Sequence, residues 1–444
     1  MEPVLKTGGR KRLVGSNPTP SAPTRSWNPA TTNRGPVSDK RDTAIPVARH
    51  GKLRRMPAWK PILGFIGGAL AVVLVAGGSV GAIAVYQLES NIDTVLIGAD
   101  TAPPPPNIGS YEGGFNILIV GSDTREGQGG AFGDTDATLN DVTMLLHVAQ
   151  DQKSATLVSI PRDMVVPLPA CENGGPATGV PINTTLYYGG LGCTVATVEN
   201  LTGLEIQFAG LITFTGVIAM SDAVGGVDVC VDDRIYDPYT GLDLPGAGTY
   251  TLQGFDALAF LRSRHGVGDG SDLGRISSQQ VYLSSLVRKI KSDDTLTDVS
   301  KLYGIAQAAT RNMTLSQNFA RLDTLVSVAL VLKDVPLENI VMVQYPGTTG
   351  GTGIYTGKVQ PITSTANALF AAIKADRPVG LDDNALDGAH GGSTLDPNAP
   401  DDGATPEPTG TPTAAATEEP VPEAVVVPGV KGQSAATYTC SVAN

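Results

Sequence analysis

Residues 62–86 read ILGFIGGALAVVLVAGGSVGAIAVY, 25 positions without a charged side chain. As a helix rising about 1.5 Å per residue the run is about 37 Å long, enough to cross a hydrocarbon core of about 30 Å with some tilt. Arg54, Arg55 and Lys60 crowd its N-terminal side, while Gln87, Leu88 and Glu89 follow it. That asymmetry places the N-terminus in the cytoplasm and everything after about residue 87 outside. Ala82-Ile83-Ala84 resembles a signal-peptide cleavage site. The run is longer than a signal core and begins about 60 residues into the chain, so it reads as an uncleaved transmembrane anchor.

The anchor separates parts of opposite charge. Residues 1–61 hold 13 Lys and Arg against three acids and show no apolar periodicity, so a disordered basic cytoplasmic segment is expected. With −12 for the whole chain, the rest carries −22. The basic segment suits the anionic inner leaflet of a membrane better than nucleic acid. Residues 87–113 form a Pro-rich extracellular spacer, and 114–378 have globular composition. Residues 379–424, acidic and dense in Pro, Gly and Thr, read as a disordered linker, and 425–444 as a short tail able to dock on the domain.

Four cysteines, an even number, fall in the part placed outside, where disulfides form. Cys171 and Cys193 flank a Gly/Pro-rich loop and are expected to pair; Cys230 and Cys440 remain as a candidate second bridge. No CxxC spacing or His cluster calls for a thiolate zinc site.

Apolar patterning predicts strands over 116–120, 142–148, 155–160, 227–231 and 340–345. It predicts helices over 194–201, 254–261, 276–291, 302–309, 322–332 and 366–375, and residues 210–223 alternate before turning helical. The fold class is therefore α/β, a single mixed-sheet domain flanked by helices behind one transmembrane helix.

Three short elements carry chemistry. Gly121-Ser122-Asp123-Thr124-Arg125 follows a strand, where open α/β sheets place ligands. Asn140-Asp141 opens the next strand, and Asp123 with Asp141 would offer hard oxygens for Mg²⁺. Taken alone, each aspartate reads equally well as a turn residue. Arg162 follows Pro161 at a strand end. AFLRSRHGVGDGSDLGR, residues 259–275, adds Arg262, Arg264 and Arg275. Arginine forks bind phosphate oxygens bidentately, so this set suits a pyrophosphate; the plainer reading is a solvated loop paired with Asp269 and Asp272. A Ser-His-Asp triad would need His265, and no Walker A lysine is present.

Taken in order, GSDTR (121–125), NDVTMLLHV (140–148), SIPRDM (159–164), Pro181-Ile182-Asn183 with Tyr187-Tyr188-Gly189-Gly190, AVGGVDVCV (223–231), LQGFDALAFLRSRHG (252–266) and DLGRISSQQ (272–280) resemble the LytR–CpsA–Psr family. The resemblance implies a membrane-anchored extracellular phosphotransferase. Such an enzyme moves a glycopolymer from a polyprenyl-pyrophosphate carrier onto peptidoglycan. It implies a central mixed sheet with a long apolar pocket for the lipid. It assigns Asp123 and Asp141 to Mg²⁺ (or Mn²⁺). Arg162, Arg262, Arg264 and Arg275 go to the pyrophosphate, with Gln279 and Arg125 beside them on the substrate; Asn183 would be structural. Leu139 and Ser278 stand where the family often has arginine, which lowers the positive charge of the site. Two rival readings keep parts of this: a lipid-pyrophosphate hydrolase with water as acceptor, and a non-enzymatic membrane-bound regulator of the cell envelope.

Overall fold

The computed structural model describes residues 59–101, 104–105, 108–124, 138–292, 295, 298–386, 393–396, 399 and 423–444. The basic segment before Trp59, Arg125 and most of the acidic stretch 379–424 lie outside the described residues. The uncharged run forms the helix Trp59–Glu89. Within it, Phe65–Glu89 is long and apolar enough to cross a membrane, and side chains such as Phe65, Leu70 and Tyr86 stay exposed along it.

Eight strands make the main sheet. Its order is Asp93–Val95, Met313–Ser316, Phe208–Ile212, Phe115–Ser122, Asn140–Val148, Ala155–Ile160, Ile340–Gln344 and Gly432–Ser434, with parallel and antiparallel neighbours mixed. Both faces are buried, because successive side chains of a strand point to opposite sides. Leu118 and Val120 join a core with Val195 and Val198 of the helix Thr185–Thr202 and with Leu369 and Ile373 of Thr363–Lys374. Phe115 and Ile117 join a second core with Val328 and Val331 of the helix Leu322–Asp334. The result is the expected mixed sheet between helix layers.

A second, four-stranded sheet runs Gly248–Leu252, Val227–Val231, Thr439–Ser441, Ser393–Leu395. It packs a third core against the helices Phe255–Arg262 and Asp272–Lys291 through Val229, Phe260, Val281 and Tyr282. Residues 425–444 thus supply strands to both sheets, and Val425–Val426 also pairs with Val379–Gly380. Both cysteine pairs are bridged, Cys171–Cys193 across 22 residues and Cys230–Cys440 across 210.

Four helices start three or more residues earlier than apolar periodicity predicts, at Thr185, Asp272, Val299 and Thr363. The helix expected from residue 276 begins at Asp272, because Ser271 Oγ accepts the Gly274 N–H as an N-cap and Asp272 favours the first turn. This shift brings Arg275 into the helix. The helix expected over 194–201 begins at Thr185 and is broken at Gly189 and Gly190. A Cβ at Gly189 would lie 2.9 Å from Cys193 Cβ, so glycine there lets the disulfide close against the helix.

Candidate functional site

The site is assembled at the ends of the strands Phe115–Ser122 and Asn140–Val148. Val142 pairs with Gly121 and Asn140 with Ser122, which leaves Asp141 as the extra residue of a bulge. Bulges re-aim a side chain out of the regular ladder, and they recur beside active sites. Asp123 sits across from Leu139, donating its backbone N–H to the Leu139 carbonyl at 3.0 Å and accepting the Leu139 N–H through its side-chain Oδ1 at 2.7 Å. The two carboxylates therefore come from adjoining strand ends, as the sequence spacing implies. One Asp141 oxygen pairs with Arg162. Two hard-oxygen donors fit a divalent ion that takes its remaining ligands from phosphates and water. Among the described residues the one group of three clustered His, Cys, Asp or Glu is Cys230, Asp396 and Cys440, and its sulfurs are tied in the disulfide.

Arg162 follows Ala155–Ile160 and Pro161. Its guanidinium meets Asp141 and comes to 3.7 Å from Asp163. Burial lowers its pKa, but the carboxylates of Asp141, Asp163 and Asp272 outweigh that, so the group is held above its ordinary value. Arg275 is buried; its Nη2 lies 2.6 Å from Asp272 and donates to the Asp141 carbonyl at 2.9 Å. Arg262 ends the helix Phe255–Arg262 and stacks at 4.2 Å on the Phe214 ring. Gln279, one turn beyond Arg275, donates to the Leu261 carbonyl at 2.8 Å.

Asp141, Arg262, Arg275 and Gln279 share a cavity of about 150 Å³ whose other walls include Ile119, Met144, Phe214, Val217, Leu258 and Leu283. A charged strip therefore borders an apolar slot between the main sheet and three helices. Asp123, Arg162 and Arg264 do not line this cavity. Arg162 stands behind Asp141, and Arg264 turns to Asp163 at 3.6 Å and to the Gly270 carbonyl at 3.2 Å. Arg125 lies outside the described residues. Asn183 is structural in its contacts: its backbone N–H donates to the Arg162 carbonyl, fixing that turn.

Asp237 was not among the residues expected at the site. It is fully buried and accepts hydrogen bonds from Ser263 Oγ, the Arg264 and His265 N–H groups and the Tyr239 N–H. It thereby holds the Arg262–Gly266 turn. Burial alone would raise its carboxyl, and these donors more than reverse that, leaving it below the usual carboxylate range. Its only sequence signal is the Asp-Pro turn in Ile235-Tyr236-Asp237-Pro238. Replacing Asp237 by Asn is expected to cost about 1.5–3 kcal/mol, since several bonds to a charged acceptor weaken together. A depressed folded pKa adds stability above the unfolded value of about 3.9 and loses it as pH falls through the lower folded value. Melts between pH 7 and pH 3 should show parent and Asp237→Asn converging in acid; a gap independent of pH would contradict this.

Residues 86–371 match the model of the LytR_cpsA_psr family. The chain is 30% identical over 371 residues to the cell wall biosynthesis protein LcpA of Corynebacterium glutamicum, covering 75% of this chain and 69% of that one. It is 29% identical over 254 residues to the polyisoprenyl-teichoic acid–peptidoglycan teichoic acid transferase TagT of Bacillus subtilis, covering 55% of this chain and 74% of that one. Among solved structures, the LytR-Csp2A-Psr enzyme from Actinomyces oris aligns with a TM-score of 0.48 at 23% identity, covering 64% of this chain and 96% of that one.

Proposed function

The chain belongs to the LytR–CpsA–Psr family, and from that premise we propose that it transfers a glycopolymer from a polyprenyl-pyrophosphate carrier onto peptidoglycan. The observation that carries the reading is the apolar slot bordered by Asp141, Arg262, Arg275 and Gln279. A lipid pyrophosphate needs one place for its hydrocarbon and an adjacent one for its charge. The names of the relatives, a cell wall biosynthesis protein and a teichoic acid transferase, supply the substrate class.

In this reading the arginines bind the pyrophosphate oxygens and orient the phosphorus that carries the polymer. They also offset the charge that grows as an acceptor hydroxyl attacks and polyprenyl phosphate leaves. Mg²⁺ on Asp123 and Asp141, when bound, would neutralise further phosphate charge. No covalent intermediate on the protein is required. The helix Phe65–Glu89 would anchor the domain on the outer side of the membrane, with the basic segment in the cytoplasm. Two disulfides are what an oxidising compartment permits.

The test is a product analysis. Purified full-length protein, lipid-pyrophosphate-linked polymer and peptidoglycan should yield polymer bound to peptidoglycan, together with polyprenyl phosphate. Free polymer as the sole product would replace this reading with hydrolysis.

A further inference from the structure

Lys358 belongs to no motif singled out in the sequence. Its neighbour Val359 accepts the Val165 N–H at 3.0 Å and donates to the Asp163 carbonyl at 3.1 Å, so this segment is laddered onto the turn that carries Arg162. Lys358 Nζ lies 3.6 Å from Asp163 Oδ1, Arg264 Nη1 lies 3.6 Å from Oδ2, and Arg162 Nε lies 3.7 Å from Oδ1. One buried carboxylate thus faces three cations, none within hydrogen-bonding distance of it. Arg162 Nε is itself buried and has no hydrogen-bond partner among the described residues. With Asp141, which also pairs with Arg162, three cations meet two carboxylates and the set carries an excess of one positive charge.

Exposure gives the cluster a direction. The side chains of Lys358 and Arg264 are each 36% exposed, whereas that of Arg275, on the cavity, is 6% exposed. Arg162 touches both sets, through Asp141 on the cavity and Asp163 on the outer cluster. A lipid in the apolar slot leaves its hydrophilic polymer to point to water, so the phosphate bearing the polymer belongs on the exposed side of Arg162.

We propose that Lys358 and Arg264, set around Asp163, form a second phosphate subsite that holds the polymer-bearing phosphate, while Arg262 and Arg275 hold the lipid-bearing one. This rests on the phosphotransferase reading above.

The test uses full-length protein in detergent with two probes, geranylgeranyl pyrophosphate and geranylgeranyl monophosphate, followed by calorimetry at fixed salt. The parent should prefer the pyrophosphate. Lys358→Gln should reduce that preference about tenfold, the size of one lost charge-assisted contact, and leave monophosphate affinity unchanged. Lys358→Arg should retain the preference. A merely structural lysine would not move the ratio. A Lys358→Gln protein that discriminates as the parent does overturns the subsite and leaves the phosphotransferase reading standing. A parent that binds neither probe overturns both.

Discussion

Arg162→Ala is expected to lower polymer transfer by roughly a hundred- to a thousandfold, the scale of removing one preorganised donor from a site that stabilises growing charge. The reason lies in where the side chain stands. Pro161 fixes the turn after the strand Ala155–Ile160, and backbone bonds from Ile182 to Met164 and from Asn183 to Arg162 clamp it. The guanidinium then sits between Asp141, which lines the apolar cavity, and Asp163, which faces Arg264 and Lys358. Among the described residues no other arginine pairs with both Asp141 and Asp163. Arg162→Lys should recover little, because a point charge cannot reproduce the planar fork. Stability should fall as well, since Asp141, Asp163 and Asp272 lose the cation that offsets them. Transfer rates must therefore be read at a temperature where a melt shows the variant folded. Folded Arg162→Ala with rates near the parent's would remove Arg162 from the chemistry.

The fold was legible where periodicity is strong. The central strands alternate between two apolar faces, so their positions follow from the pattern of Ile, Leu and Val. Short edge strands such as Met313–Ser316 and Gly432–Ser434 lack enough residues to declare a period, and their pairing is decided by tertiary contact. Helix starts were misplaced where capping, as at Ser271, rather than apolar spacing sets the boundary. At the site, motif order brought Asp141, Arg162, Arg262, Arg275 and Gln279 to one region. What motifs could not convey is that Arg264 pairs with Asp163 instead of lining the cavity, because that depends on a contact between residues distant in sequence. Asp237 and Lys358 were missed for a related reason. Each acts through backbone or charge contacts with residues distant in sequence, and neither sits in a patterned stretch.

Loss of the Cys230–Cys440 bridge is the second large effect expected. In the chain-entropy account, a cross-link spanning 210 residues restricts the unfolded chain by roughly 5 kcal/mol, and one spanning 22 by roughly 3. Replacing Cys230 and Cys440 together by serine should therefore cost about 2 kcal/mol more than replacing Cys171 and Cys193, as read by denaturant unfolding. The longer bridge also fastens the segment Ser441–Asn444 against the arginine-rich turn. Ala443 N–H donates to Asp232 at 2.9 Å, Gly268 N–H to the Val442 carbonyl at 2.9 Å, and Asn444 donates to the carbonyls of Gly266 at 3.2 Å and His265 at 3.0 Å. Those bonds hold the loop between Arg264 and the start of the Arg275 helix. The Cys230/Cys440 variant should accordingly lose transfer even where it is folded, while the Cys171/Cys193 variant, whose bridge lies on the helix Thr185–Thr202, should keep more of it. Equal unfolding costs, or equal residual transfer from the two folded variants, would separate the bridge from the loop and leave it a staple of the second sheet alone.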